Sequence, residues 1–284
     1  MTSRSQWQQL AIDLLRTANG SARRGAALLA ERAPALHDEI RSVREHPWPL
    51  ALWGTSRNHD EKADVRIVEP DALRTVAHLA GVALPLRACH AGLLHTYGYL
   101  FSTIDTPFGR KRDRWIRRTI EDGLGLRGLL RPTPRDGTLL HNVTWLLARV
   151  AWRDDASMLR RLGRLRDGVA DGVRDHAFSS LRVTRITRRV RLADRRVVEL
   201  CTELVPLRAG ARSGHDALLI YWYRTRADGK RLLTTFPVGE GVVRELRDEA
   251  RDTVLEGVRP RYNAVIPGFD EPRRARCTTT TGTG

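Results

Sequence analysis

The residues from 95 to 115 carry the densest set of chemically useful side chains in this sequence. An apolar first half that begins at His95 runs into a turn at Pro107 and Gly109, after which the segment becomes cationic. The members that could bind or act on a substrate are His95, Tyr97, Tyr99, Ser102, Thr103, Asp105, Lys111, Arg112 and Arg114. A buried polar segment that continues into a basic turn could form the floor and mouth of an anion-binding pocket. The alternative is a tyrosine-rich core strand followed by a solvated basic turn.

The chemistry that this set would support is the expulsion of an anionic group such as phosphate or sulfate. Fixed positive charge stabilises the negative charge that develops on a leaving group, and Lys111, Arg112 and Arg114 would supply it. His95 or Asp105 would accept a proton. The neutral groups suited to holding a polar substrate are Tyr97, Tyr99, Ser102 and Thr103.

A second candidate pair interrupts the apolar run from 138 to 152. Burial of His141 and Asn142 without partners would cost about 1–3 kcal/mol for each unpaired group. The pair is therefore either a hydrogen-bonded structural feature or a second pocket wall beside His95, with His141 as a further catalytic candidate.

A third candidate group lies on a predicted β-hairpin around Asp228 and Gly229, because an Asp-Gly turn between two β-rich runs is typical of hairpins. Tyr223 on the first strand and Thr234 and Thr235 on the second could face the pocket. Cross-strand aromatic packing is the alternative for this region.

Composition limits the classes of function. The chain has 284 residues, 41% hydrophobic content and a net charge of +16, which predicts a sizeable core and an anionic partner. Only three of the 49 cations are lysine, so part of the charge could reflect arginine-rich codon usage. Three cysteines without paired spacing do not predict a disulfide framework. No metal motif, nucleotide-binding motif, signal peptide or membrane span is present in the sequence, so we expect no metal or cofactor, no membrane association and a cytoplasmic location.

The periodicity of apolar residues predicts an α+β fold, in which a helical N-terminal half precedes a mainly antiparallel four-stranded sheet with flanking helices. The predicted helices are 5–45, 70–81, 90–102, 115–123, 157–176 and 242–258, and the run 138–152 is predicted to be core. For the apolar stretch 86–104, which contains the helix at 90–102, two strands are the alternative. The predicted strands are 65–68, 181–192, 197–205, 217–226 and 230–237, the last ending at Pro237. The predicted loops are 54–64, 125–137 and 260–267.

Three regions follow from this pattern. Residues 1–85 are expected to form a helical N-terminal region, 86–270 an α+β catalytic domain, and 271–284 a disordered tail of low complexity.

The stretch from His95 to Trp115 resembles actinobacterial biosynthetic proteins of the azinomycin aziridine-forming type. Two further segments are compatible with that family, Thr138-Leu-Leu-His-Asn-Val-Thr-Trp-Leu-Leu and Leu233-Thr-Thr-Phe-Pro-Val. The resemblance implies cofactor-independent closure of an aziridine or azabicycle on an amino-acid derivative, by intramolecular amine attack with loss of sulfate. It also implies a substrate carried on an acidic amino-group carrier protein and a smaller companion subunit. The arginine runs 160–166 and 182–196 would then dock the carrier, although a solvated face is the simpler interpretation.

The hairpin Asp228-Gly-Lys-Arg-Leu-Leu-Thr-Thr-Phe-Pro is similar to the closing hairpin of EndoU-like ribonuclease folds. That resemblance implies a metal-independent endoribonuclease or an RNA-binding protein. The nearest Gly-His pair is Gly214-His215. The basic stretches show little of the aromatic interleaving that single-stranded RNA binding favours, so RNA is the alternative partner.

Overall fold

A computed structural model describes the chain over residues 4–60, 64–83, 88–106, 109–116, 119–124, 138–165, 181–192, 195–208, 217–226, 229–248, 254–256 and 260–266. Its N-terminal half is helical and its C-terminal half contributes an extended sheet. The predicted α+β class is therefore confirmed. The predicted loop at 125–137 and the predicted tail at 271–284 lie outside the described residues.

The segment predicted as helical from 5 to 45 forms three helices. They are α1 Arg4–Ala18, α2 Ala22–Arg32 and α3 Pro34–Ser42. The first break falls at Asn19 and Gly20, which both have positive φ (38° and 80°), a region that glycine and asparagine tolerate best. The second break falls before Pro34, because proline is favoured at the first turn of a helix and not within one.

Helix α4 Pro70–Ala80 confirms the prediction for 70–81. It begins with proline at its first turn and ends at Gly81, which adopts a left-handed conformation (φ 73°) as C-terminal glycines commonly do. One whole side of α4 is buried, and it packs against the first three helices.

The predicted helix at 90–102 is also confirmed, but with an irregular geometry. A short helical turn α5 Ala91–Leu93 continues into a π-helical turn at Leu94–Gly98, and the helix ends near residue 100. π-Helical turns are rare and often occur at functional sites. His95 lies within this one.

Short elements connect this segment to the long helices. Strand β3 Asp105–Thr106 pairs antiparallel with β4 Gly109–Arg110. The helices that follow are α6 Asp113–Ile116, α7 Thr119–Leu124, α8 Leu139–Ala151 and α9 Ala156–Leu165. The described residues of the predicted helix 115–123 are helical, in α6 and α7, and Gly123 lies within α7 rather than after its end. The run 138–152 is core as predicted: α8 is buried at nearly every position.

The sheet contains the four predicted antiparallel strands and one additional strand. The four are β5 Thr184–Arg191, β6 Val197–Pro206, β7 Ala217–Thr225 and β8 Gly229–Val238. The order is β8-β7-β6-β5-β9, and β9 Val254–Glu256 runs parallel to β5. The hairpin of β7 and β8 is confirmed. Pro237 does not end β8, because β8 is an edge strand in which proline is tolerated.

The predicted strand at 65–68 and the predicted extent of the helix at 242–258 are wrong, and two predicted loops, 54–64 and 260–267, each contain a short strand. Pairing between distant residues forms the strands in the last three segments. Residues 65–68 form no strand beyond an isolated bridge between Asp60 and Val65. The helix predicted over 242–258 is shorter, α10 Glu240–Asp248, and the strand β9 occupies part of the remainder. The segments predicted as loops contain β1 Thr55–Ser56 and β10 Ala264–Val265, which pair with each other; β1 also pairs with β2 Cys89–His90.

Two hydrophobic clusters cover the two faces of the sheet. The first joins Trp222 and Ile220 to the helices and includes residues from Leu10 to Leu232. The second joins Tyr221 and Tyr223 to α10 and to the segment that contains β10. Because the first cluster includes residues on both sides of position 85, the helical region and the sheet share one core. None of the described helices is both long enough and apolar enough to cross a membrane.

Candidate functional site

A cavity of about 670 Å³ lies beside edge strand β8, bordered by the π-helical turn, α10 and the segment 260–266. Of the side chains proposed from sequence, six line this cavity: His95, Tyr99, Asp105, Lys111, Arg114 and Thr234. His95, Lys111 and Arg114 therefore border one shared hollow, whereas the third expected cation, Arg112, is not part of its lining. A pocket of this volume is within the range of small-molecule sites.

His95 is held at the cavity wall by aromatic neighbours. Its ring stacks on Trp53, with ring centroids 5.9 Å apart, and meets Tyr99 edge-on at 4.9 Å. The indole nitrogen of Trp115, on α6, donates to the His95 carbonyl at 2.7 Å. These contacts fix both the ring and the backbone of the π-helical turn.

The His95 imidazole is neutral. Its burial, reinforced by the nearby charges of Arg114 and Lys111, lowers the pKa of His95 to about 3. The nearby Leu233 carbonyl favours protonation of the His95 ring and so partly opposes this lowering of the pKa. Neither ring nitrogen has a hydrogen-bond partner among the described residues. Both nitrogens are also covered from solvent.

Two cations face the same tyrosine ring. The Lys111 ammonium lies 5.4 Å from the centroid of Tyr99, and the Arg114 guanidinium carbon lies 5.2 Å from it. Arg114 also donates to the Thr235 carbonyl at 3.3 Å, and Lys111 forms an ion pair with Asp60 at 2.6 Å. Burial is the main cause that lowers the pKa of Lys111 and of Arg114. Asp60 compensates one of these two charges, so the inner part of the cavity favours an anion.

The remaining charges give the cavity a mixed polarity. Asp105 lies at the exposed rim, where it pairs with Arg110 at 2.9 Å. Glu245 of α10 and Arg261 also contribute to the lining. A ligand that carries both an anionic group and an amine would therefore find complementary groups on different parts of the wall.

An apolar wall completes the cavity. Tyr262 packs edge-on against Phe236 and Tyr221, with ring centroids 5.1 and 5.2 Å apart. Tyr262 and Asn263 both have positive φ (58° and 62°), an uncommon conformation for residues other than glycine. Sequence reasoning missed this segment and also Asp60, because only the pairing of β10 with β1 brings 260–266 to the site. No local pattern signals that pairing.

Four residues of the proposed 95–115 set lie outside the cavity lining. The Tyr97 hydroxyl donates to Glu39 at 3.1 Å, Ser102 is buried, and Thr103 is exposed. Arg112 is buried close to Asp113. Tyr97 and Tyr99 lie two positions apart in the helical segment, so their side chains point in nearly opposite directions.

The remaining sequence candidates also lie apart from the cavity lining. His141 interacts with the hydroxyl of Thr138 at 2.7 Å and with the carbonyl of His46 at 2.7 Å. Burial lowers the pKa of His141 to about 4. Because both ring nitrogens have hydrogen-bond partners, the structure favours the hydrogen-bonded structural interpretation. Asn142 is buried on the same helix.

On the hairpin, Tyr223 packs in the second hydrophobic cluster, as expected for aromatic packing. The Thr235 hydroxyl donates to the Leu219 carbonyl at 2.9 Å, so this side chain supports β8 while its backbone positions Arg114. Comparison of the chain with protein-family models, with curated proteins and with solved structures found no significant match.

Proposed function

We propose that this chain is a cofactor-independent biosynthetic enzyme that closes an aziridine or azabicycle on an amino-acid derivative and releases sulfate. The observation that supports it is the shared cavity, in which a neutral imidazole and two buried cations surround one tyrosine ring. The mixed polarity of the wall suits a substrate that has both an amine and a sulfate ester.

The reaction needs one displacement within the substrate. The amine lone pair attacks the adjacent carbon, the carbon–oxygen bond to sulfate breaks, and its electron pair leaves with the sulfate. Arg114 and Lys111 stabilise the charge that develops on the departing group. The cavity contributes by holding the nitrogen and the leaving oxygen in line, since correct orientation lowers the barrier of a displacement.

The proton released from nitrogen passes to His95 or to Asp105. His95 is neutral and can accept it, but the low pKa of His95 makes the imidazole a weak base in the empty cavity. Departure of sulfate adds negative charge beside the ring, which favours its protonated form. Because both nitrogens are covered, a neighbouring side chain must shift when substrate binds. Asp105, which is exposed at the rim, is the alternative base.

The proposed carrier protein would dock on exposed arginines. Helix α9 exposes Arg160, Arg161 and Arg164, and strand β5 exposes Arg189 and Arg191. A very acidic partner would be attracted to these surfaces, and the attraction would weaken with salt. A smaller companion subunit could complete the enzyme.

The direct test is mass spectrometry of the reaction with serine O-sulfate, presented free or on an acidic carrier. The proposal predicts release of sulfate and a product with an aziridine ring. His95→Ala and Arg114→Gln should lower the rate about 10²-fold or more, while Arg32→Gln, an exposed charge on α2, should not. Unchanged turnover in both cavity variants would contradict the site. Absence of any turnover, with and without a carrier, would contradict the reaction.

Metal-independent RNA cleavage is the second candidate, because a net charge of +16 favours contact with phosphates. His95 is the one histidine in the cavity lining among the described residues, and Lys230 of the hairpin is paired with Asp155 at 2.6 Å. EndoU-like ribonucleases, which the hairpin resembles, use histidines together with a lysine, and these two features do not supply that combination. Incubation with RNA at low salt and without metal tests this candidate, and an absence of both cleavage and binding would remove it.

A further inference from the structure

Lys111 is an unusual cation for its position. Only three of the 49 basic residues in this chain are lysine, and Lys111 lies in the cavity with its side chain 8% exposed. An arginine could supply the same charge with more hydrogen bonds. A lysine differs in one chemical respect: its amine can lose a proton and act as a nucleophile.

The surroundings of Lys111 suit that role. Burial and the neighbouring charge of Arg114 disfavour the ammonium form of Lys111. The Asp60 carboxylate, 2.6 Å from the Lys111 nitrogen, favours the ammonium form and also offers an oxygen that can take its proton. A desolvated lysine next to a second cation is one known way of activating an amine. Asp60 is then placed to move protons to and from the Lys111 nitrogen.

We propose that Lys111 forms a Schiff base with a 2-oxo acid that carries an apolar side chain. This activity goes beyond ring closure and does not depend on it, because it needs only the cavity and its cations. Arg114 and Lys111 both lie against the Tyr99 ring, 5.2 and 5.4 Å from its centroid, so a carboxylate bound by Arg114 would lie in the same part of the cavity as the amine.

The shape of the cavity selects the rest of the ligand. Its volume of about 670 Å³ far exceeds what a three-carbon acid needs, and its lining includes the apolar side chains of Phe236, Val242 and Leu246. An apolar side chain on the 2-oxo acid would fill this part of the site. Burial of that side chain would contribute affinity in proportion to the apolar area removed from water.

The step balances without an oxidant or a reductant. Asp60 removes a proton from the Lys111 ammonium, and the free amine attacks the carbonyl carbon, so that a carbon–nitrogen bond forms. The carbonyl oxygen takes up protons and leaves as water when its bond to carbon breaks. The ammonium and the ketone thus become an iminium ion and one water molecule, with the positive charge conserved.

The test traps the adduct by reduction. The full-length protein is incubated with phenylpyruvate and sodium cyanoborohydride, and peptide mapping locates the modified amine. We expect one adduct, on Lys111. Labelling should fall about tenfold or more in Lys111→Arg, which retains the charge but not the nucleophile, and should remain in Lys230→Arg, a matched substitution of another ion-paired lysine. Unfolding curves of both variants, measured alongside, show whether the fold is kept.

Two further comparisons make the test decisive. Phenylacetone, which lacks the carboxylate, should label Lys111 much more slowly than phenylpyruvate does, and Arg114→Gln should remove that difference. Equal labelling of Lys230 or of the N-terminal amine, or undiminished labelling in a folded Lys111→Arg variant, would overturn the proposal. Ring closure could fail its own assay while this adduct forms, so the two proposals are tested separately.

Discussion

His95 is a histidine whose surroundings disfavour its charge. It is 3% exposed, stacked on Trp53, and close to two cations.

Sequence reasoning could bring together His95, Tyr99, Lys111 and Arg114 because they lie within one short segment. It could not identify Asp60 or Tyr262, whose approach depends on strand pairing between distant parts of the chain.

The low pKa of His95 predicts a pH dependence of stability. Between pH 6.5 and about 3, the unfolded chain binds a proton at this residue that the folded chain does not. Stability attributable to His95 is therefore fully present above pH 6.5 and falls as the pH is lowered, by up to about 1.4 kcal/mol for each pH unit. His95→Gln should make the dependence shallower in urea unfolding curves measured from pH 7 to pH 4.

His141 contributes a slope of the same sign, since burial also lowers the pKa of His141, so His95→Gln should reduce the slope without removing it. The matched control is His78→Gln, because His78 is an exposed histidine on α4. The interpretation fails if the two variants and the parent protein lose stability with acid in the same way.

Among the elements, strand β6 joins the sheet to the helical half through a buried carboxylate. Glu203 is fully buried and lies 2.6 Å from Arg185 and 3.4 Å from Arg153. It also accepts a hydrogen bond from the indole of Trp222 at 3.3 Å. Arg185 in turn donates to the carbonyl of Ala151, at the end of α8. The network therefore fixes how α8 lies on the sheet.

Removal of this carboxylate should destabilise the protein. Glu203→Ala leaves two arginines without their buried partner, and we expect a loss of about 3 kcal/mol in the free energy of unfolding. Glu199→Ala is the control on the same strand, because the ion pair of Glu199 with Arg224 is more exposed and should contribute about 0–1 kcal/mol. Chemical denaturation measures both. Equal losses in the two variants would show that the buried network of Glu203 stabilises the fold no more than the exposed ion pair of Glu199 does.

Local sequence determines some of the helices and strands, whereas pairing with distant parts of the chain determines others. The hairpin of β7 and β8 and helix α4 follow from local turn and capping residues, Gly229 and Gly81 among them. Strand β9 is three residues long and exists through its pairing with β5. Its local sequence continues a helical pattern, so only the tertiary partner decides its structure.

For the whole molecule, the α+β class follows from the spacing of apolar residues, which changes near residue 181 from the period of a helix to the alternation of a strand. The predicted boundary at residue 85 stays a prediction, and the core that spans it shows how strongly both sides are joined. The +16 charge is spread over exposed arginines as well as the cavity. An oxyanion site and a general attraction of anions to this surface predict different responses to the loss of a single arginine.

A cavity that receives an oxyanion should bind inorganic sulfate, the proposed product, and calorimetric titration measures this binding. We expect one saturable site in the parent protein. Arg114→Gln should weaken binding about tenfold or more, since a charge-assisted hydrogen bond contributes about 1.5–3 kcal/mol, while Arg32→Gln, which removes the same charge from an exposed position, should bind as the parent does. Equal weakening in both variants, or no saturable binding at all, would contradict the account.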